Sequence, residues 1–162
     1  MGVTASDIDF MRYALEEAEK AYREGEVPVG AVLVIGGEIV AKTHNRRESD
    51  LDPSAHAEVL ALREGSRKIR NWRLSGATLY VTKEPCIMCA GTMVNARLCR
   101  LVYGCGDMKG GAVRSLYQLL SDRRLNHRVD ISRGVLEEES ALLLKRFFRE
   151  RRTAPGKDKS CS

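Results

Sequence analysis

Apolar residues with helical spacing predict a helix near each end of the chain. Near the start they recur every three or four positions: Met11, Ala14, Leu15, Ala18, Ala21 and Tyr22. We expect Ser6 or Asp7 to cap this helix and Gly25 to end it, since these residue types favour those positions. Residues 136–152 have the pattern of a second amphipathic helix.

The segment between these helices alternates short apolar runs with helical patterns. Residues 29–35 and 38–42 read as two strands joined by Gly36 and Gly37, a two-residue hairpin turn. The elements predicted after the hairpin are a helix at 55–69, a strand at 77–82, a helix at 85–95, a strand at 100–104, a short helix at 116–120 and a strand at 129–134. Strands that alternate with helices favour parallel pairing, so the pattern predicts a three-layer α/β sandwich.

Length and composition favour one domain without disulfide support. A chain of 162 residues buries ~70% of its extended surface on folding, which is enough for a sizeable core. We assign residues 1–152 to one folded domain and residues 153–162 to a basic, flexible tail. The longest apolar stretch, 31–35, falls far short of the ~20 residues that span a bilayer, so no membrane association is expected.

The positive charge of the chain is concentrated at its end. Residues 145–162 contain seven Lys or Arg and two acidic residues, which accounts for the whole net charge of +5. A basic helix and tail on an otherwise balanced chain suggest a polyanionic partner. The alternative is a solvated helical face with a disordered tail, and composition alone does not separate the two.

One constellation carries chemistry: His56-Ala57-Glu58, followed by Pro85-Cys86-Ile87-Met88-Cys89. A histidine and two cysteines are the donors that Zn²⁺ prefers, and three protein ligands leave a fourth tetrahedral position for water. Zinc lowers the pKa of such a water toward ~7, and Glu58 would then move the protons. The five cysteines are an odd number and two are needed as thiolates, which predicts a reducing compartment, the cytoplasm.

The spacing of these residues places them at the starts of two helices. Cys86 and Cys89 are three residues apart and share one helical face, with Pro85 at the first helical position. His56 and Glu58 are two residues apart, so they can converge only from a first helical turn. We therefore predict that two helix N-termini point at one metal ion, where the helix dipole favours thiolates.

Two other interpretations remain open at this point. His56, Cys86 and Cys89 could combine with Cys99, Cys105 or His127 in a closed, purely structural zinc site. Alternatively, the cysteines are ordinary small core residues, as free cysteines often are.

The H-x-E and P-C-x-x-C motifs are those of zinc deaminases, and the chain resembles the bacterial tRNA-specific adenosine deaminases of the cytidine-deaminase-like superfamily. The segments that carry the resemblance are 26–31 (EVPVGA), 45–46 (NR), 52–58 (DPSAHAE), 79–82 (LYVT), 84–91 (EPCIMCAG), 104–107 (GCGD), 126–128 (NHR) and 147–149 (FFR). This resemblance implies a three-layer α/β/α sandwich with a mixed five-stranded sheet.

The resemblance also implies an activity, the deamination of adenosine to inosine at the wobble position of a tRNA anticodon by a homodimer that carries one Zn²⁺ per subunit. The implied roles are zinc ligation by His56, Cys86 and Cys89, proton transfer by Glu58, and substrate binding by Val29, Asn45, Pro85 and Asp107. We expect RNA-backbone contacts from Lys109, Phe148, Arg149, Arg151 and Arg152. Residues 108–114 depart from the family pattern, which leaves contacts of that loop open.

Two rival functions stay in view. A deaminase of a free nucleobase or nucleotide, of the cytosine, guanine or cytidine type, would use the same zinc chemistry in a small closed pocket. A catalytically inert, zinc-stabilised RNA-binding module would bind RNA without deamination, but it leaves Glu58 unexplained.

Overall fold

The computed structural model describes residues 2–154, which form four α-helices, five strands and a short 3₁₀ turn. In chain order the elements are α1 (Ala5–Arg23), β1 (Gly30–Ile35), β2 (Glu38–His44), α2 (Ala57–Ile69), β3 (Ala77–Lys83), α3 (Ile87–Asn95), β4 (Arg100–Cys105), the 3₁₀ turn (Leu119–Ser121), β5 (Asp130–Arg133) and α4 (Glu137–Thr153). The five predicted strands and the four longer predicted helices are therefore present, with boundaries that shift by a few residues.

The five strands form one mixed sheet in the order β2-β1-β3-β4-β5. β1 pairs antiparallel with both β2 and β3, whereas β3, β4 and β5 run parallel. Gly36 and Gly37 join β1 to β2 with φ angles of 60° and 82°, left-handed values that glycine adopts without strain. The predicted hairpin and the parallel half of the sheet are both confirmed.

Helices cover both faces of the sheet and complete the three layers. Side chains at successive positions of β1 face opposite layers: Val32 packs with Met11 of α1, and Leu33 contacts Gly65 of α2. α4 lies on the same side as α1, since the Phe147 ring of α4 packs edge-on against the Tyr22 ring of α1. The larger part of the hydrophobic core lies between the sheet and the α2 and α3 layer.

Three local predictions were wrong in detail. Thr4, rather than Ser6 or Asp7, caps α1, because Thr4 and Asp7 bond each other's backbone N–H in a capping box. The helix predicted for residues 116–120 is only the 3₁₀ turn Leu119–Ser121. Pro85 precedes the capping residue of α3 instead of occupying its first turn, since Cys86 has extended backbone angles.

The predicted C-terminal tail lies almost wholly outside the described residues. Thr153 still belongs to α4, and the described residues end at Ala154. Within residues 2–154, no helix combines the length and the apolar character that crossing a bilayer requires.

Candidate metal centre and catalytic pocket

Three donor atoms meet at the starts of two helices. The Nδ1 of His56 lies 3.6 Å from the Sγ of Cys86 and 3.5 Å from the Sγ of Cys89, and the two sulfurs are 3.6 Å apart. Tetrahedral zinc with bonds of ~2.3 Å to sulfur and ~2.0 Å to nitrogen would hold such donors ~3.5–3.8 Å apart. The arrangement therefore fits a metal ion of this size, and it selects Nδ1 as the donor atom of His56.

The positions of these ligands follow from the local helix starts. His56 is the N-cap of α2 and Cys86 is the N-cap of α3, and neither side chain makes a capping hydrogen bond. Their donor atoms are thus left for a ligand, and Cys89 joins them from the first turn of α3. The pKa of the Cys86 thiol is lowered to about 3, chiefly by a hydrogen bond from Cys89 and to a smaller extent by one from His56. The expectation that two helix N-termini converge on one site is met.

The closed zinc site is not formed. Within residues 2–154, only His56, Cys86 and Cys89 bring three metal donors within 4.8 Å of one another. His127 instead donates through Nε2 to the carbonyl of Leu98 at 2.7 Å, Cys105 is buried in the core and Cys99 is exposed. Three protein donors leave a tetrahedral ion one further ligand from outside these residues.

Glu58 lies beside the three donors on the first turn of α2. Its side chain is 4% exposed, and it helps to line a cavity of about 270 Å³ that His56 and Cys86 also border. Burial raises the pKa of this carboxyl group. A buried acid of raised pKa next to a metal site is a typical proton carrier.

The same cavity gathers most of the residues predicted to bind substrate. Its lining includes Val29, Asn45, Asp107 and Phe148, whereas Pro85 does not reach it. Asn45 is held there by two hydrogen bonds, because its amide nitrogen donates to Val27 at 3.2 Å and its oxygen accepts from the Arg47 N–H at 3.2 Å. Phe147 is buried against Tyr22 while Phe148 is exposed, so the two phenylalanines divide between core and cavity rim.

Three charged lining residues escaped sequence reasoning: Arg47, Lys83 and Glu84. Lys83 pairs with Asp107 at 3.0 Å, and this ammonium outweighs the opposing effect of burial to lower the pKa of Asp107. Glu84 is 2% exposed. Burial by itself would raise the pKa of its carboxyl group, but hydrogen bonds from the Asp107 N–H and the Ser115 hydroxyl lower that pKa to about 2. For Lys83 and Glu84 the available signal was their position at the end of a buried strand, just before Pro85; Arg47 had no such signal.

The other predicted RNA contacts lie outside the cavity wall. Lys109, Arg149 and Arg152 are exposed, as expected for side chains that meet a backbone phosphate. Arg151 is already engaged: it donates to the carbonyl of Gly25 at 2.7 Å and to Glu48 at 3.2 Å.

Comparison with known proteins decides the family. The MafB19-like deaminase family matches residues 5–152. The chain is 51% identical over 143 residues to the tRNA-specific adenosine deaminase of Bacillus subtilis strain 168, which covers 88% of this chain and 89% of that protein. The chain belongs to the tRNA-specific adenosine deaminase family. A relative with the same description, from Haemophilus influenzae strain Rd, is 48% identical over 147 residues, 90% of this chain and 85% of its own length.

Solved structures agree with this assignment. A structure from a study of A-to-I editing by tRNA:A34 deaminases at the wobble position of transfer RNA superposes with a TM-score of 0.82 at 45% identity, over 84% of this chain and 99% of that one. Guanine deaminase from Nitrosomonas europaea reaches a TM-score of 0.75 at 22% identity, over 90% of this chain and 86% of that one. The second likeness concerns the fold alone, which is the predicted cytidine-deaminase-like sandwich.

Proposed function

We propose that this protein converts adenosine to inosine at the wobble position of a tRNA anticodon, with Zn²⁺ held by His56, Cys86 and Cys89. The observation that carries the proposal is the meeting of three metal donors, 3.5–3.6 Å apart, with the buried carboxylate of Glu58 at one cavity. The relatives named tRNA-specific adenosine deaminases, at 46–51% identity, supply the substrate class.

When bound, Zn²⁺ makes a water molecule acidic enough to supply hydroxide at neutral pH. Glu58 accepts a proton from the attacking water and delivers it to a ring nitrogen of adenine. It then takes the proton of the hydroxyl now on C6 and passes it to the amine; the C6–N bond breaks as the C6 carbonyl forms, so that adenosine and water become inosine and ammonia. The proximity of Glu58 to the donor set and its seclusion from solvent support this role.

We assign the target base to the cavity and the flanking RNA backbone to the cavity rim. At about 270 Å³ the cavity lies at the small end of ligand pockets, which suits a single nucleobase turned out of a loop. We assign base contacts to Asn45 and Val29, and contacts near the flanking backbone to Asp107 and Phe148. Unpaired anticodon bases can be splayed outward, which a stacked duplex base resists.

The deciding experiment treats an anticodon stem-loop with the metal-replete protein and measures inosine by mass spectrometry. The matched substrate carries cytidine instead of adenosine at the wobble position, and free adenine, guanine, cytosine and cytidine are assayed in parallel. We expect inosine from the adenosine stem-loop alone. A product only from the cytidine stem-loop or only from a free base would overturn the substrate assignment, and RNA binding without any product would favour an inert module.

We also infer that the protein works as a homodimer in the cytoplasm. The dimer is what the family resemblance implies, and sedimentation of the metal-replete protein tests it, with a monomer as the contrary result. The cytoplasm is supported by the need to keep Cys86 and Cys89 reduced for a metal.

A further inference from the structure

Glu84 is a buried carboxylate on which five hydrogen-bond donors converge. It follows β3 directly and precedes Pro85 and the metal-ligand helix α3. Its Oε1 accepts from the backbone N–H groups of three consecutive residues, at 3.1, 2.7 and 2.9 Å; these are Val113, Arg114 and Ser115. Its Oε2 accepts from the Asp107 N–H at 2.9 Å and from the Ser115 hydroxyl at 2.5 Å.

The loop of residues 107–115 is therefore wrapped around one side chain. Gly111 completes the wrap, since a Cβ there would lie 2.3 Å from the Cδ of Glu84. The Ala112 N–H donates to the carbonyl of Pro85 at 2.9 Å, which ties the loop to the start of the metal-ligand helix. Most of this anchoring uses backbone N–H groups, and its side-chain requirements are the Ser115 hydroxyl and the absence of a Cβ at Gly111.

Asp107, at the start of this loop, is held by two neighbouring residues at once. Glu84 binds its backbone N–H, and Lys83 pairs with its carboxylate at 3.0 Å. The other carboxylate oxygen accepts from the N–H groups of Lys109 and Gly110 at 3.1 and 3.2 Å. Asp107 and Glu84 both border the catalytic cavity.

We propose that Glu84 is a positioning residue for RNA binding: it fixes Asp107 relative to the metal-ligand helix, so that the cavity rim meets the substrate in one arrangement. The proposal deepens the proposed function and rests on it for the role of Asp107. Glu84 does not touch the reacting atoms. Because Glu84 already holds the loop in place, the loop does not have to become ordered when RNA binds, and this entropy cost is avoided.

Glu84→Gln is a selective test because an amide has a single acceptor oxygen. Three N–H groups converge on Oε1, so the amide oxygen belongs there and the NH₂ group turns toward Asp107. That NH₂ can still donate to the Ser115 hydroxyl, but it cannot accept from the Asp107 N–H. We expect the KM for the stem-loop to rise about tenfold, the loss typical of one hydrogen bond to a charged group, while kcat and zinc content stay unchanged.

Two further variants separate positioning from general stability. Ser115→Ala removes one hydrogen bond from the same Oε2 but leaves the Asp107 N–H bond intact, so it should raise KM less than Glu84→Gln does. Asp107→Ala should also raise KM. Adding Glu84→Gln to it should raise KM no further, because both changes act through the same contact, that of Asp107 with the RNA. A purely structural role would lower the melting temperature without moving KM, and KM increases that multiply in the double variant would contradict the proposal.

A third variant and a direct measurement keep the test decisive if Glu84→Gln does not fold. Gly111→Ala would place a Cβ 2.3 Å from the Cδ of Glu84 and push the loop away from this carboxylate, so the same KM increase is expected. Hydrogen exchange on the wild-type protein should show slow exchange at the Asp107 amide, and fast exchange there would refute the anchoring. Since exchange does not depend on activity, an inactive wild-type protein would count against the proposed function and leave this anchoring measurable.

Discussion

His56 and Glu58 are two residues apart, which on a regular helix would turn their side chains ~200° from each other. They can serve one site because His56 is the N-cap of α2, where the backbone is still extended, and Glu58 lies in the first turn. Cys86 repeats this arrangement at the start of α3. The short spacing of the motif is thus a consequence of using helix starts.

Replacing Glu58 tests its assigned role. Glu58→Ala should reduce turnover on the stem-loop at least ~100-fold, because general acid and base catalysis by one group is worth about that much or more. Zinc content, measured by metal analysis, should stay at one ion per chain. The matched control is Glu64→Ala, an exposed position on the same helix, which should be fully active. Ammonia release by Glu58→Ala at the wild-type rate would remove Glu58 from the mechanism.

Asp7 is a buried carboxylate with a different task, far from the cavity at the opposite end of β4. It accepts two hydrogen bonds from Arg100, at 2.8 and 3.0 Å, and one from the Tyr80 hydroxyl at 2.8 Å. Although burial opposes it, the hydrogen bonds from Arg100, the Thr4 N–H and Tyr80 lower the pKa of Asp7 from 3.8 to about 2. The charged form is therefore favoured by folding.

This shift makes a pH prediction. A folded-state pKa below the unfolded value stabilises the fold above pH ~4 and loses that contribution as the pH falls toward about 2. The difference, 3.8 to about 2, corresponds to about 2 kcal/mol. We expect the free energy of unfolding of the wild type to exceed that of Asp7→Asn at pH 5, and this difference to decrease by about the same amount at pH ~2. Denaturant unfolding at both pH values measures it. A difference that stays unchanged between these pH values would show that the charge of Asp7 does not contribute to stability as described.

Most helices and strands could be predicted from the local sequence pattern, and the errors in these predictions lie at the ends of the elements. Helical spacing located α1 and α4, and the paired glycines located the hairpin, because both signals are local. The cap of α1 was misplaced because Ser6 and Asp7 are equally good cap residues, and only the reciprocal bonds between Thr4 and Asp7 decide. The position of Pro85 outside α3 follows from its carbonyl, which the Ala112 N–H binds.

The contact between α1 and β1 leads to a prediction about glycine. At Gly30 a Cβ would lie 1.9 Å from the carbonyl oxygen of Ala14 and 2.5 Å from the nitrogen of Ala18, both backbone atoms of α1. Gly30→Ala should therefore destabilise the protein by about 3 kcal/mol or more, since neither element can yield cheaply. Gly91→Ala is the matched control: the site is open and lies inside α3, so stability should rise by about 0.5–1 kcal/mol. Equal effects in urea unfolding would show that α1 does not pack as described.

On the scale of the whole molecule, part of the positive charge near the C-terminus is already paired with other groups of the same protein. Arg146 pairs with Glu150 and lies over Tyr22, and Arg151 bridges to Glu48 and Gly25. Among the described residues, Arg149 and Arg152 form no salt bridge and are exposed. Total charge therefore overstates what this helix can offer a nucleic acid, and the two unpaired arginines are its best candidates for phosphate contacts.

Salt dependence measures that contribution. The logarithm of the stem-loop binding constant should fall linearly with the logarithm of salt concentration, and each of Arg149→Ala and Arg152→Ala should reduce the slope by about 1. Lys68→Ala is the control, because it lies twelve residues along α2 from His56, ~18 Å from the metal site. A slope unchanged by both arginine variants would place the RNA on another surface.

The sequence by itself determined the metal donors, the neighbouring carboxylate and the alternation of strands and helices, because each depends on residue type and short-range spacing. Tertiary structure alone decided what lies far apart along the chain. It brought His56 within 3.6 Å of Cys86, excluded His127 and Cys105 from the donor set, and engaged Arg151 with Glu48. It also turned Glu84 inward, since a carboxylate can be buried only where the fold delivers donors to meet it.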